Sequence, residues 1–265
     1  METQYTGGHD FTNVDKANAA EMISYLDRIT GAVGQGKRAG YAALGIAPGM
    51  SVLDVGCGTG DDVRVLSEIV GPRGHVAGVD FSQSMIDEAI KRGIPSNAEL
   101  RQASATELPF MDETFDAARS ERVFQHLEHP EAAARELYRV LKPGGGVMLI
   151  DQDWETLIVA GSNKALTRTI CNAFTDHPLN GWAGRNHPGL LRRAGFHDVA
   201  VQPVPVALPF PVAMQLILTH AITYAVRTSA VSAHDAASFA ADLQMADERG
   251  EFYCAFTIFA ATGRR

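Results

Sequence analysis

Between Ser51 and Gly60 the chain reads Ser-Val-Leu-Asp-Val-Gly-Cys-Gly-Thr-Gly, and the spacing of its acids and glycines is the first feature that could do chemistry. An apolar run ends at Asp54, glycines follow at 56, 58 and 60, and Asp61-Asp62-Val63-Arg64-Val65-Leu66 has helical spacing. The pattern predicts a strand, a tight turn and a helix. Glycines in such a turn let a ligand press on the backbone and on the amides that open the helix. A dinucleotide pyrophosphate is served by Gly-x-Gly-x-x-Gly. Here the spacing is Gly-x-Gly-x-Gly, Asp61 occupies the third glycine's place, and Asp54 precedes the turn. Two carboxylates repel a pyrophosphate and suit a ligand that carries positive charge.

A third acid follows at a telling distance. His75-Val-Ala-Gly-Val-Asp80 reads as a second strand whose terminal carboxylate, twenty residues beyond Gly60, can accept both hydroxyls of a ribose. Ser82 is available to cap the next helix, so Asp80 is not needed there.

Together these residues carry a resemblance. Asp54-Val-Gly-Cys-Gly-Thr-Gly60 resembles the glycine-rich motif of class I S-adenosylmethionine-dependent methyltransferases, whose ligand bears a sulfonium and an ammonium group. The resemblance implies S-adenosyl-L-methionine as cofactor, with Asp54, Gly56, Cys57, Gly58 and Gly60 around it and Asp80 as the ribose acid. Phe81 and Met85 lie where adenine would stack, although both are also good core residues. Ser104-Ala-Thr-Glu-Leu-Pro-Phe110 is similar to the family's D-A-x-x-L-P-F segment, with Ser104 where Asp is usual. On that match the Ser104 hydroxyl and the Ala105 amide would meet the adenine ring. Glu121-Arg-Val-Phe-Gln-His126 lacks the Asn/Asp-Pro-Pro-aromatic segment of nucleic-acid and amide methyltransferases. It looks like the small-molecule branch, including ubiquinone-type and sterol-type enzymes, which implies Glu121 and Arg122 beside the methionine end of the cofactor. Arg139-Val-Leu-Lys-Pro-Gly-Gly145 is common in the family and has a structural explanation, glycines turning a helix end into the sheet. The resemblance covers roughly residues 47–150, and more loosely the strands after 196.

Methyl transfer from a sulfonium is a direct in-line displacement, which a dry and oriented pocket favours without a protein nucleophile. A hydroxyl or acidic-carbon acceptor would need a base within about 3 Å. His126, Asp153 and His177 are the first catalytic candidates, then Asp151 and His187. Asp151 with Asp153 supplies too few ligands for a metal, and none is expected.

The elements that must position these groups follow from periodicity. Helices are expected over 19–30, 37–44, 61–70, 85–91, 130–141, 164–175 and 188–194, and two more over 212–226 and 233–248. Strands are expected over 51–55, 75–80, 98–103, 117–120, 147–150, 196–207 and 251–261, with Asp151-Gln-Asp-Trp154 leaving the fifth at the carboxyl edge of the sheet. The expectation is an α/β, Rossmann-like doubly wound fold. The resemblance implies a seven-stranded sheet in order 3-2-1-4-5-7-6 with the last strand antiparallel. One domain is expected over 1–265: a helical N-terminal lid over 1–45 that offers Tyr5 or Phe11, a cofactor-binding core over 46–150, and substrate-side loops and inserted helices over 151–265. Met214, Leu218, His220, Ile222 and Tyr224 would wall the substrate side or simply pack.

Bulk properties narrow the partners. A net charge of -8, with no dense Lys/Arg block beyond Arg264-Arg265, disfavours nucleic acid. Cys57, Cys171 and Cys254 are odd in number and scattered, which suggests a reducing compartment and no metal. No signal-peptide pattern and no membrane-length apolar run is present, so a cytoplasmic protein is expected, monomer or homodimer, acting on a small-molecule acceptor in specialised metabolism. Two other classes stay open, a nicotinamide-dependent oxidoreductase and a non-catalytic nucleoside-binding protein. Preference for NAD over S-adenosylhomocysteine would mark the first, and binding without methyl transfer the second.

Overall fold

The computed structural model describes residues 40–175 and 180–265. The expected lid, with Tyr5 and Phe11, lies outside them save for the helical residues 40–43 and the turn that follows, as do His177 and the start of the 37–44 helix. Leu44 N–H donates to Gly40 O at 3.1 Å, and Tyr41 and Leu44 are buried.

The short apolar runs become strands β1 (Ser51–Val55), β2 (His75–Asp80), β3 (Ala98–Gln102) and β4 (Phe115–Glu121), with helices α1 (Asp61–Val70), α2 (Gln83–Lys91) and α3 (Pro130–Val140) between or after them. Then come β5 (Leu141–Val159), α4 (Lys164–Thr175), α5 (Ala183–Ala194) and β6 (His197–Ala207). α6 (Phe210–Ala213) runs through a π-helical segment Met214–Leu218 into α7 (Thr219–Arg227), and α8 (Ala233–Glu248) precedes β7 (Cys254–Arg264). The seven strands form one sheet in the order β3-β2-β1-β4-β5-β7-β6. β1 to β5 pair in parallel, and β7 runs antiparallel to both β5 and β6. β1 and β2 are apolar on consecutive residues because helices cover both faces of a parallel sheet.

Three buried clusters divide the work. One packs α3 and α5 against the sheet through Ala133, Leu137, Leu190 and Leu191, and another packs α1 on the opposite face through Val63, Leu66 and Val70. The third, built on Trp154, Phe174, Ile217, Leu218, Phe239 and Phe256, joins α4, the inserted helices and the distal ends of β5 and β7. Met214 and Ile222 pack against this cluster and Leu218 lies inside it, so packing accounts for these members of the anticipated wall.

Two expectations are corrected. β5 does not end at Ile150: Asp151, Gln152 and Asp153 pair with Phe259, Ile258 and Thr257, and pairing resumes at Ile158↔Ala255. The long antiparallel partner β7 holds the segment in the sheet. Residues 142–145 bulge out, as the register jumps from Phe115↔Leu141 to Ala117↔Gly146. Helix α5 starts at Ala183, five residues before Pro188, which sits inside it and forfeits one helical hydrogen bond. Burial of Ala183, His187, Leu190 and Leu191 along one stripe outweighs that loss.

The α5 backbone comes close to the sheet at Gly184, where a Cβ would stand 2.9 Å from Asp151 O and 2.9 Å from the Phe259 ring. Helix propensity alone would make Gly184→Ala stabilising by about 1 kcal/mol. Overpacking against a backbone carbonyl costs about 1–3 kcal/mol, so the net outcome expected from urea unfolding is destabilisation. The cysteines give a second expectation. Burial pushes the Cys171 thiol up to about 11 and Cys254 up to about 12, and raises Cys57 further with help from the Asp54 and Asp80 charges. Raised thiol values contribute stability that is complete below the ordinary thiol range and drains away as pH rises towards the folded-state values. At pH 8 a disulfide reagent should label no thiol in the native chain and three after unfolding, and stability should fall above about pH 9.

Candidate functional site

The glycine turn is fixed by the end of β2. The amides of Gly56 and Cys57 both donate to Val79 O, at 2.7 and 2.9 Å. Asp80 then holds two loops at once, one carboxylate oxygen accepting from Gly58 N at 2.8 Å and the other from Ser82 N at 2.9 Å. Ser82 Oγ caps α2 by accepting from Met85 N at 3.3 Å. Gly56 adopts φ +78, and a Cβ there would fall 2.1 Å from Val123 Cγ2. Only glycine therefore lets the segment after β4 lie directly over the turn.

Beneath the turn sits a residue that sequence reasoning missed. Arg119, on β4 in register with Asp54 on β1, is 1% exposed. One of its terminal nitrogens donates to Asp54 at 2.9 Å and pairs with Asp62 at 2.8 Å, and the other pairs with Glu121. Tyr41 donates its hydroxyl to Asp62 and lays its ring 5.6 Å from the Arg119 guanidinium. Burial by itself would lower the Arg119 pKa, but the carboxylates of Asp62, Asp54 and Glu121 outweigh it and raise it well above the ordinary value. The Tyr41 hydroxyl is held protonated, first by burial and then by the Asp62 charge. Among the described residues three carboxylates gather on the Arg119 guanidinium. The signal was an arginine amid the small residues Ala117-Ala118-Arg119-Ser120, since a charge on an interior strand must be paired.

The remaining cofactor candidates take different places. Phe81 is 70% exposed beside Asp80, whereas Met85 is 2% exposed and its side chain belongs to the interior, so of the two only Phe81 offers an open face. Cys57 is also interior, its Cβ packed where a Cβ on Gly78 would reach it at 3.0 Å. Ser104 Oγ accepts from Thr106 N at 3.2 Å and meets the Thr106 hydroxyl at 2.7 Å, while Ala105 is buried in the loop that follows β3. Glu121 ends β4, and Arg122, the next residue, adopts φ +59.

The acid–base candidates separate. His126 closes the 3-10 turn Phe124–His126. Asp153 is fully buried, and its carboxylate is clamped by the forked guanidinium of Arg185, which also reaches Glu155. His177 lies outside the described residues. The structure joins the two lower-ranked candidates, with His187 Nε2 3.0 Å from Asp151 and both fully or almost fully buried. Asp151 also accepts from Gln125 N at 3.3 Å, and Gln125 Oε1 accepts from the Trp154 ring N–H at 2.9 Å. Gln125 was not singled out from sequence, and nothing in its neighbours' spacing marks it. Among the described residues no three His, Cys, Asp or Glu gather to hold a metal ion, and no helix is long and apolar enough to cross a membrane.

Comparison with known proteins follows the same ground. Residues 53–149 match the family described as "Methyltransferase domain". A Streptomyces fradiae protein described as uncharacterized, of 37.1 kDa and from a transposon, is 36% identical over 189 residues, covering 69% of this chain and 54% of that protein. The ubiquinone/menaquinone biosynthesis C-methyltransferase of Ectopseudomonas mendocina is 38% identical, covering 43% of this chain and 46% of its own. The demethylmenaquinone methyltransferase of Listeria welshimeri is 41% identical, covering 40% and 46%. The chain thus spans about half the length of these curated relatives. A Bacillus halodurans crystal structure provisionally titled a methyltransferase shares the fold at TM-score 0.61 and 19% identity, covering 86% of this chain and 97% of its own. A Haemonchus contortus phosphoethanolamine N-methyltransferase in complex with S-adenosyl-L-methionine does so at TM-score 0.55 and 18% identity, covering 86% and 52%.

The charge cluster yields a test. Arg119→Met keeps most of the volume but strands Asp54, Asp62 and Glu121, and a broken buried pair costs about 3–5 kcal/mol. Urea unfolding should show a loss of that size at pH 8 and a smaller one at pH 5, because stranded buried carboxylates take up protons in the folded state first. Neutralising the three acids together with Arg119 should recover part of it.

Proposed function

Residues 53–149 form a methyltransferase domain of the class I S-adenosylmethionine-dependent type, and from that premise we propose that the chain transfers a methyl group from S-adenosylmethionine to a small-molecule acceptor. The observation that carries the reading is the gathering of carboxylates at the glycine turn, with Asp54, Asp62 and Glu121 drawn onto buried Arg119 and Asp80 beside them. Such ground attracts a sulfonium and an ammonium and repels a diphosphate. The residues present therefore fit the family's cofactor and not a nicotinamide dinucleotide.

When bound, S-adenosylmethionine supplies an electrophilic methyl group on a cationic sulfur. Within this reading the chain's own residues bind and orient. Asp80, held by two backbone amides, accepts the ribose hydroxyls; exposed Phe81 offers a face for adenine; Ser104 and the Ala105 amide edge the same ring. The carboxylates of Asp54 and Glu121, with the backbone of Gly56, Gly58 and Gly60, favour the charged end of the molecule. Val123 against Gly56 and the buried Phe124 keep water from the turn. His126 remains the candidate base for an acceptor that must lose a proton. The lid role of residues 1–45, including Tyr5 and Phe11, and His177 belong to the same reading, as does a cytoplasmic monomer or homodimer in specialised metabolism. A small acceptor is supported by the net charge of -8 and by the names of two relatives, a C-methyltransferase of ubiquinone/menaquinone biosynthesis and a demethylmenaquinone methyltransferase.

Calorimetry should show saturable binding of S-adenosylhomocysteine and no comparable binding of NAD. Asp80→Asn, which keeps the shape and one acceptor oxygen, should weaken the nucleoside at least about 10-fold, or about 1.4 kcal/mol, with an unchanged far-UV spectrum. Preference for NAD, or undiminished affinity in the variant, would defeat the reading of the turn or of Asp80 respectively. Transfer of labelled methyl to an acceptor panel separates an enzyme from a nucleoside-binding protein.

A further inference from the structure

His187 has one nitrogen that the fold does not use. It lies on the buried stripe of α5, 1% exposed, with Nε2 3.0 Å from the Asp151 carboxylate on β5. Asp151 also accepts from the Gln125 amide, and the Gln125 side chain accepts from the Trp154 ring N–H, so the imidazole is held in one orientation. A carboxylate only accepts, so Nε2 carries the proton and the neutral ring keeps a bare lone pair on Nδ1. That Nδ1 is buried and has no hydrogen-bond partner among the described residues. The two nitrogens of an imidazole point nearly opposite ways, which turns Nδ1 away from Asp151 and the sheet.

Beside it lies a cavity. A space of about 190 Å³ separates the start of α3, the 3-10 turn and α5, and His187 is part of its wall. Phe124, Pro130, Ala183 and Leu190 give that wall an apolar body, with the Phe124 ring edge-on to the His187 ring at 5.6 Å. Glu131 and Arg193 border it, facing each other at 3.7 Å with more than half of each side chain exposed. Opposite charges paired at the rim leave no net charge to select an ion. An apolar cavity of about 150 Å³ holds benzene, so this one has room for a single six-membered ring with one substituent. No residue of the glycine turn contributes to the wall.

We propose that this cavity is a second ligand site, for a small neutral hydroxylated ring of the phenol class whose O–H donates to His187 Nδ1. The hydroxyl satisfies the orphaned acceptor and keeps its proton, while the ring lies among Phe124, Ala183 and Leu190. The inference goes beyond the methyltransferase reading and does not depend on it.

The experiment titrates the native chain, without any nucleoside, with phenol and with toluene, which has nearly the same shape and no donor. Calorimetry should show phenol bound at least about 10-fold more tightly than toluene. In the ¹⁵N spectrum the His187 Nδ1 resonance should be of the unprotonated type and should move as phenol saturates the site. His187→Phe should abolish the preference for phenol. That variant leaves buried Asp151 without its imidazole partner and can unfold the chain, so Asn186→Trp stands beside it. Asn186 is exposed at the cavity wall, and a bulky ring there should close the space and weaken phenol about 10-fold or more with an unchanged melting temperature. No saturable phenol binding, toluene bound as tightly as phenol, an Nδ1 that is protonated or indifferent to phenol, or full phenol affinity in Asn186→Trp would each overturn the proposal.

Discussion

One buried guanidinium ties the sheet to its site. Arg119 reaches from β4 across to Asp54 on β1, to Asp62 in the first turn of α1 and to Glu121 at the end of its own strand, so three points are fixed by one group. Desolvating that many charges is expensive, and such a cluster persists only when each member is paired. Its consequence is positional. β1 and β4 must stay in register, and α1 must leave the turn at one angle, or a carboxylate loses its partner.

Above that cluster the backbone does the rest. Val79 O and the Asp80 carboxylate take four amides between them, from Gly56, Cys57, Gly58 and Ser82, which shapes the turn before any ligand arrives. A preshaped loop spares the ordering entropy that binding would otherwise cost. Close approach of Val123 to Gly56 seals one side, and the left-handed Arg122 is carried to the mouth by the same geometry.

On the far side of β4 the polar groups are interior and interlocked. His187, Asp151, Gln125 and Trp154 form a buried chain of hydrogen bonds, and Asp153 is clamped by Arg185. Such chains fix the ends of strands and loops more than they offer free acid or base. The extension of β5 past Ile150, held by β7, is what draws Asp151 and Asp153 into the sheet instead of leaving them on an open loop.

The sequence by itself determined the strand-turn-helix around Gly56 to Gly60, the strand ending in Asp80, the Ser82 cap and the order of helices and strands, because each is a local pattern of period, glycine and cap. Resemblance extended that to the sheet order. Other features needed the tertiary structure, for one physical reason: they depend on contacts between residues far apart in the chain. Arg119 meets Asp54 across 65 positions and His187 meets Asp151 across 36, and no spacing rule reports such pairs. For the same reason Pro188 read as a helix start until burial of Ala183 and His187 placed it inside α5, and Asp153 read as a free acid until Arg185 was found upon it. Local physics wrote the turn and its acids; packing decided which distant charges meet one another.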